Sequence, residues 1–413
     1  MNIIIKEHIR SWLKYLPQYR KTRTSIIECS CTSLTDFLTK AVTNVPYYHS
    51  HCSSKEKKIS LSDFPIIRKD DIQGNEDLFV SKRYIKFLLS PYETGGSTGK
   101  SLRLYYSKKA LIQKNVYSDY AFSLIGEKLN IAMLRGVAPR NGAFFERIKS
   151  DYHIISSYLL TSETLDEYLN YLRTNRINCL HVYPSSVSIM ARLIKDKYGV
   201  ADLPDLKGIM ASSEILASNE KQLLKEVFGD IKIVDYYSQN ELACCAIAVN
   251  DGYYRFFNNF GHVEFLDTGE RINGNKICEI IATGVLNEAM PLIRYGTDDF
   301  AEIDESGNVV SIIGRASDFL YNKKGGRTPC ILSTRSISMA NVINFQYYQP
   351  RIGVLVYRVV VTNDFGEQDI KYLLEDLDNS FNGLIDCSIE VVESIPKSKR
   401  GKQLRLVQDV KDI

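Results

Sequence analysis

Short apolar runs that end in polar clusters, each followed by an amphipathic helical pattern, constrain this chain more than any other feature. Leu129-Asn-Ile-Ala-Met-Leu134 stops near Gly136. Asn178-Cys-Leu-His-Val-Tyr183 meets Pro184-Ser-Ser, after which Val187, Ile189, Met190, Leu193 and Ile194 are spaced for one helical face. Leu206-Lys-Gly-Ile-Met210 leads through Ala-Ser-Ser-Glu214 into a helix carrying Leu216, Leu223, Leu224 and Val227, and Ile231-Lys-Ile-Val-Asp-Tyr-Tyr237 ends at Ser238-Gln-Asn-Glu241. Alternation of this kind predicts layered α/β structure, with polar residues gathered at the strand ends where such sheets bind ligands. Beyond Gly252 the pattern shortens to β segments at 261–266, 276–282 and 300–303. From residue 320 a separate unit is expected, with strands at 353–361 and 386–392 around a helix whose stripe is Ile370, Leu373, Leu374, Leu377 and Phe381. A chain of 413 residues exceeds one typical core. The expected division is a large N-terminal α/β domain with an additional β region, residues 1–315, and a small α+β domain, residues 316–413.

Composition removes several function classes. A formal charge of +3 on this length does not indicate a nucleic-acid partner. In Met1-Asn-Ile-Ile-Ile-Lys-Glu-His-Ile-Arg10 the charges interrupt the apolar run before it can serve as a signal or cross a bilayer, and no transmembrane or targeting segment is visible. Residues 1–25 carry a basic amphipathic pattern, which more often packs on its own domain than on a membrane. The nine cysteines, an odd number, fit a reducing cytoplasm better than a disulfide framework, so a cytoplasmic protein is expected. Cys29, Cys31, His49, His51 and Cys52 have zinc-accepting chemistry, but at tighter spacing than usual sites, and the adjacent Cys244 and Cys245 read as packing residues. The six histidines form no recognisable nucleophilic triad.

Two segments carry phosphate chemistry. Thr94-Gly-Gly-Ser-Thr-Gly-Lys100 combines glycines, which let the backbone close on an anion, with hydroxyl donors. It is not a Walker loop, because Gly95 and Gly99 are one residue too close and Thr94 stands where the first glycine belongs. Far downstream, Lys402 follows an Arg-Gly step in Ser394-Ile-Pro-Lys-Ser-Lys-Arg-Gly-Lys402, a basic stretch without interleaved aromatics for base stacking. Such a lysine can neutralise charge that develops on a transferring phosphoryl or acyl group.

Together with three segments between them, these resemble the adenylate-forming enzymes. Tyr237-Ser-Gln-Asn-Glu241 is similar to that family's aromatic-Gly-x-Thr-Glu segment, with Ser238 in place of Gly and Asn240 in place of Thr. Met290-Pro-Leu-Ile-Arg-Tyr-Gly-Thr-Asp-Asp299 resembles the Tyr-Arg-Thr-Gly-Asp segment, with Asp298 where glycine is usual and able to compete with Asp299 as the ligand. Gly314-Arg-Ala-Ser-Asp318 resembles the family's hinge, with Ser317 replacing its first aspartate, so the pivot falls at Ser317 or Asp318. Val45-Pro-Tyr-Tyr48 and Phe64-Pro-Ile-Ile-Arg-Lys-Asp-Asp71 look like the phenylacetate-CoA ligase branch, which includes relatives in capsule and exopolysaccharide gene clusters.

The resemblance implies a function and assigns roles. Thr94, Gly95, Gly96, Ser97, Thr98 and Gly99 would wrap the pyrophosphate end of ATP, Tyr237 would stack on adenine, and Asn240 would reach the α-phosphate. Glu241 would hold Mg2+, Asp299 the ribose hydroxyls, Arg315 the ribose or phosphate side, and Lys402 the substrate carboxylate and α-phosphate. The expectation is an AMP-forming acid-thiol ligase whose C-terminal domain is a mobile lid. It would activate a small carboxylic acid and transfer the acyl group to coenzyme A, with an amine or carrier protein as the alternative acceptor. A non-catalytic nucleotide-binding protein is the reading of another class, motivated by the substituted motif positions. A homodimer stays open.

Overall fold

The alternating pattern is realised as a largely parallel sheet with helices between its strands. The computed structural model describes residues 16–28, 33–53, 59–94, 102–272, 274–315, 319–329, 341–381, 383–398 and 401–410. They form two compact units. One draws on 1–123, 236–248 and 253–312, the other on 124–235, 249–252 and 313–413.

The first unit begins with α1 (Pro17–Glu28) and α2 (Leu34–Asn44). Ser33 caps α2 by accepting from the Asp36 amide, and Phe37, Leu38 and Ala41 form its buried stripe. A hairpin of β1 (Ser90–Glu93) and β2 (Arg103–Tyr106) follows, paired antiparallel from Ser90 with Tyr106 to Glu93 with Arg103, and then α3 (Lys108–Ile125).

The second unit contains β3 (Ile131–Arg135), β4 (Phe145–Lys149), β5 (Tyr152–Ser156), β6 (Cys179–Val182) and β7 (Gly208–Ser212). With β8 (Lys232–Ser238) they lie in the order β8-β7-β6-β3-β5-β4. β3 is parallel to both β5 and β6, β6 is parallel to β7, and β4 runs antiparallel to β5. From β3 the chain therefore builds outward to β5 on one side, then returns through α4 (Leu165–Thr174) to β6 on the other. The strand order reverses between β3 and β6, which makes their carboxyl ends the switch point of the sheet.

α5 (Pro184–Tyr198) follows β6 and α6 (Ser218–Phe228) follows β7. Strands β5, β6 and β7 are buried at every position, as expected when helices cover a parallel sheet. Leu134, Val182, Ile209 and Ile233 pack with Leu169, Val187, Met190, Leu193 and Leu224 in this core. A Cβ at Gly208 would run into the Lys232 carbonyl and the Ile125 side chain, so only glycine permits that approach.

Back in the first unit, β9 (Cys245–Val249) pairs with β10 (Arg255–Phe256). The additional β region then appears as β11 (Gly261–Ile272), β12 (Asn275–Gly284), β13 (Tyr295–Ile303) and β14 (Val309–Arg315), in sequential order. The C-terminal part opens with the small antiparallel pair β15 (Phe319–Tyr321) and β16 (Arg327–Pro329). It continues with β17 (Val342–Arg351), β18 (Val354–Val361), α7 (Glu367–Phe381), β19 (Asp386–Val391) and β20 (Leu406–Gln408), the strands lying in the order β19-β18-β17-β20. Its own core joins Phe345, Tyr347, Tyr357 and Val359 to Leu373, Leu377 and Phe381. Of the expected α7 stripe, Leu373, Leu377 and Phe381 are buried and Ile370 and Leu374 half-buried. The fold is thus α/β with an added β region and a small C-terminal α+β part.

Candidate active site

In the first unit, the segment that leaves β8 meets the end of the Met290–Asp299 motif. Tyr237 donates its hydroxyl to Asp299 Oδ2 at 2.7 Å, and Gln239 donates to the same oxygen at 2.7 Å and to Tyr237 Oη at 2.9 Å. Burial, reinforced by Asp299, pushes the Tyr237 hydroxyl well above its ordinary pKa, so it remains a donor. Asp299 is buried, and its amide donates to Thr297 Oγ1 at 3.1 Å. Asp298 has a left-handed backbone, φ 58°, which turns it to the exposed side where Arg68 lies 3.5 Å away. The two aspartates that the sequence leaves in competition thus have opposite surroundings.

Asn240 and Glu241 follow directly. The buried Tyr106 of β2 donates to the Asn240 carbonyl, and Lys114 of α3 reaches Asn240 Oδ1 at 3.5 Å. Burial and then the Glu241 charge raise the Tyr106 pKa. At the mouth of the β1–β2 hairpin, Thr94 donates its amide to the Leu102 carbonyl at 2.9 Å and accepts the Leu102 amide on its hydroxyl at 3.0 Å. Gly95, Gly96, Ser97, Thr98 and Gly99 lie outside the described residues, as do Ser317 and Asp318.

The second unit holds Lys402. Ser398 organises its turn: the Ser398 amide donates to the Lys402 carbonyl at 2.8 Å, and Ser398 Oγ accepts the Lys402 amide at 3.1 Å. Gly401 has φ 71° and is buried; a Cβ there would run into Gly136 and the Tyr158 hydroxyl. Lys402 Nζ donates to the Ser213 carbonyl at 2.8 Å and stands 5.9 Å from the centroid of the Tyr183 ring. Ser213, just past β7, is itself left-handed at φ 72°. Glu214 then accepts the Gln403 amide on Oε1 at 3.1 Å and the Ser185 amide, at the start of α5, on Oε2 at 3.0 Å. One carboxylate therefore serves both a helix N-terminus and the lysine-bearing turn.

A buried charged cluster lies behind this turn. Glu220 of α6 accepts from Ser188 Oγ at 2.9 Å and pairs closely with Arg405, which lies over the Phe345 ring at 4.4 Å. Arg192 of α5 donates to the Ile343 carbonyl at 3.1 Å, and burial lowers its pKa to about 10. Arg315 ends β14 on the surface of the same unit.

Arg135, Ser213, Glu214, Glu220 and Gln239 are functional candidates that the motifs do not announce. Position at a strand end is the one sequence signal that Arg135, Ser213, Glu214 and Gln239 share. As for zinc, Cys29 and Cys31 lie outside the described residues, and no group of three His, Cys, Asp or Glu side chains is arranged for a metal ion among the described ones. Cys244 and Cys245 are fully buried, and burial pushes the Cys245 thiol up to about 12. No helix among the described residues is long and apolar enough to cross a membrane.

No family model matches the chain. Protein CapK of Staphylococcus aureus is 27% identical over 378 residues, spanning 86% of this chain and 82% of the relative. Among solved structures, a 2-hydroxyisobutyryl-CoA ligase in the postadenylation state with an acyl-AMP superposes with a TM-score of 0.66 at 16% identity, covering 91% of this chain and 88% of the other. An anthranilate CoA ligase with anthranoyl-AMP gives a TM-score of 0.55 at 14% identity, covering 78% and 67%.

Proposed function

Starting from the fact that this chain has the fold of the adenylate-forming enzymes, we propose that it activates a carboxylic acid with ATP and transfers the acyl group to a thiol. A carboxylate oxygen attacks the α-phosphorus, the bond to the β-phosphate oxygen breaks, and pyrophosphate leaves. The thiol sulfur of coenzyme A then attacks the acyl carbonyl, AMP departs, and the thiol proton is released to solvent.

The observation that supports this reading best is the seating of Lys402 at the carboxyl edge of the parallel sheet, 2.8 Å from the Ser213 carbonyl. There it can offset the repulsion between two approaching anions. Asp299, oriented by Tyr237 and Gln239, accepts the ribose hydroxyls. Thr94 anchors the base of the pyrophosphate loop, Asn240 reaches the α-phosphate, and Arg315 serves the ribose or phosphate side. A single carboxylate at Glu241 fits Mg2+, which typically takes one or two carboxylates and otherwise phosphate and water oxygens. Held by Glu241, such an ion would supply positive charge to offset that of the leaving pyrophosphate. The lid pivots at Ser317 or Asp318 between the two half-reactions.

Acid-dependent exchange of radiolabelled pyrophosphate into ATP tests the reading, with AMP as the nucleotide product. A nucleotide-binding protein without catalysis gives no exchange, and a Walker-type ATPase yields ADP. Coenzyme A, amines and carrier-protein thiols compared as acceptors identify the second step.

A further inference from the structure

The carboxyl edge of the parallel sheet holds more positive charge than this chemistry uses. Arg135 ends β3, at the switch point between β3 and β6. Its guanidinium donates to Ser213 Oγ at 2.7 Å and to His181 Nε2 at 2.9 Å, and lies over the Tyr183 ring at 4.5 Å. An Nε2 that accepts belongs to a neutral imidazole, so both hydrogen-bonding partners are uncharged. Among the described residues no carboxylate lies within ion-pair distance of Arg135, and its buried Nε has no hydrogen-bond partner. Nearby, Lys397 Nζ donates to the Ser157 carbonyl at 2.6 Å and stands 5.3 Å from the Tyr158 ring; among the described residues it has no carboxylate in ion-pair contact, although the Glu214 charge acts on it. Glu214 is an acidic side chain here, and its two oxygens accept the Ser185 and Gln403 amides.

Arg135 is therefore fixed in orientation by groups that offset none of its charge, the condition for forked recognition of a carboxylate or similar anion. It also shares its surroundings with Lys402. Ser213 accepts from Arg135 on its hydroxyl oxygen and from Lys402 on its carbonyl, and both cations lie against the Tyr183 ring. A carboxyl group reacting at Lys402 consequently brings its own neighbouring substituent to Arg135. We propose that the acid activated by this protein carries a second anionic group, as a dicarboxylate does, and that Arg135 binds it. This inference rests on the adenylating reading above.

Matched acids test it: succinate against butyrate, and phthalate against benzoate, each in pyrophosphate exchange with the full chain. The expected result is a preference of roughly 10–100-fold in kcat/KM for the dianion of at least one pair, the range that a charge-assisted hydrogen bond supplies. Arg135→Met brings that ratio close to one, mainly by raising KM for the dianion, and Arg135→Lys restores part of it. Calorimetric titration of the same acids onto wild type and Arg135→Met reads the site without turnover, so a failure of adenylation shows separately as absent exchange. Absence of dianion preference in both assays overturns the inference without recourse to any variant. A loss in Arg135→Met that is equal for both members of each pair also overturns it, since Arg135 would then serve the reacting carboxylate itself.

Discussion

Removing the Glu220 carboxylate tests how the C-terminal sheet is held. The Glu220 side chain is wholly buried while that of Arg405 is 21% exposed, and the pair is flanked by Arg192, 7% exposed, and by the Phe345 ring. Glu220→Ala would leave two guanidinium groups close together without their anion and the Ser188 hydroxyl without its acceptor. Breaking one partner out of a buried pair costs about 3–5 kcal/mol. If the cost falls on local opening, amide hydrogen exchange in α5, α6 and β17 should accelerate by roughly 10²–10³-fold or more. Replacing Glu220 and Arg405 together by methionine should recover much of this, because apolar residues of similar volume carry no desolvation penalty. Since Arg405 stands three residues from Lys402, Glu220→Ala should also slow acyl-AMP formation more than transfer from preformed acyl-AMP. Exchange within about tenfold of wild type, under 1.4 kcal/mol, would refute the argument, as the pair would then be contributing no more than a surface ion pair.

Lys402→Ala should lower acyl-AMP formation by about 10²–10³-fold with ATP binding changed only a few-fold, measured by pyrophosphate release and calorimetry. Asp299→Ala should weaken ATP binding by about 1–3 kcal/mol and Asp298→Ala by less, and calorimetry showing the reverse order would place the ribose ligand one residue earlier. Burial, aided by Arg147, holds His153 below its ordinary pKa, and burial does the same to His262. Their contribution to stability is complete above the unfolded value of about 6.5 and is lost as pH falls toward the lower folded values. The urea midpoint should drop on that descent, and His153→Phe should flatten the profile.

Elements whose information is local were legible in the sequence. The strand-turn-helix succession from Leu129 to Glu241 and the α7 stripe depend on periodicity alone, and the structure realises both. Sequence alone does not choose between Asp298 and Asp299, because adjacent residues of a strand face opposite sides and a one-residue irregularity decides which turns inward. Here the register shifts between Glu279 and Ile281 of β12 where it pairs with β13, and Asp298 adopts its left-handed φ. Gln239 as a partner of Asp299, and Glu220 as a partner of Arg405, carry no local signal. Each contact joins segments that are distant in sequence, 60 and 185 residues apart respectively, and follows from packing of the whole. Arg135 looks in sequence like an ordinary charge after a strand. Its neutral partners are what set it apart.

The long span between Glu220 and Arg405 also has a meaning in time. A ribosome adding roughly 5–20 residues per second takes about 10–40 s to cross the 185 residues between them. Once past Phe228 the nascent chain contains α5 and α6, but the Ile343 carbonyl that receives Arg192 arrives only part-way through that interval and the Arg405 guanidinium only at its end. The interior carboxylate of Glu220 then faces water or a chaperone instead of its eventual counter-ion. Translation stalled between residues 240 and 340 should accordingly yield a β3–β8 layer more open to protease at α5 and α6 than the same segment in the finished chain.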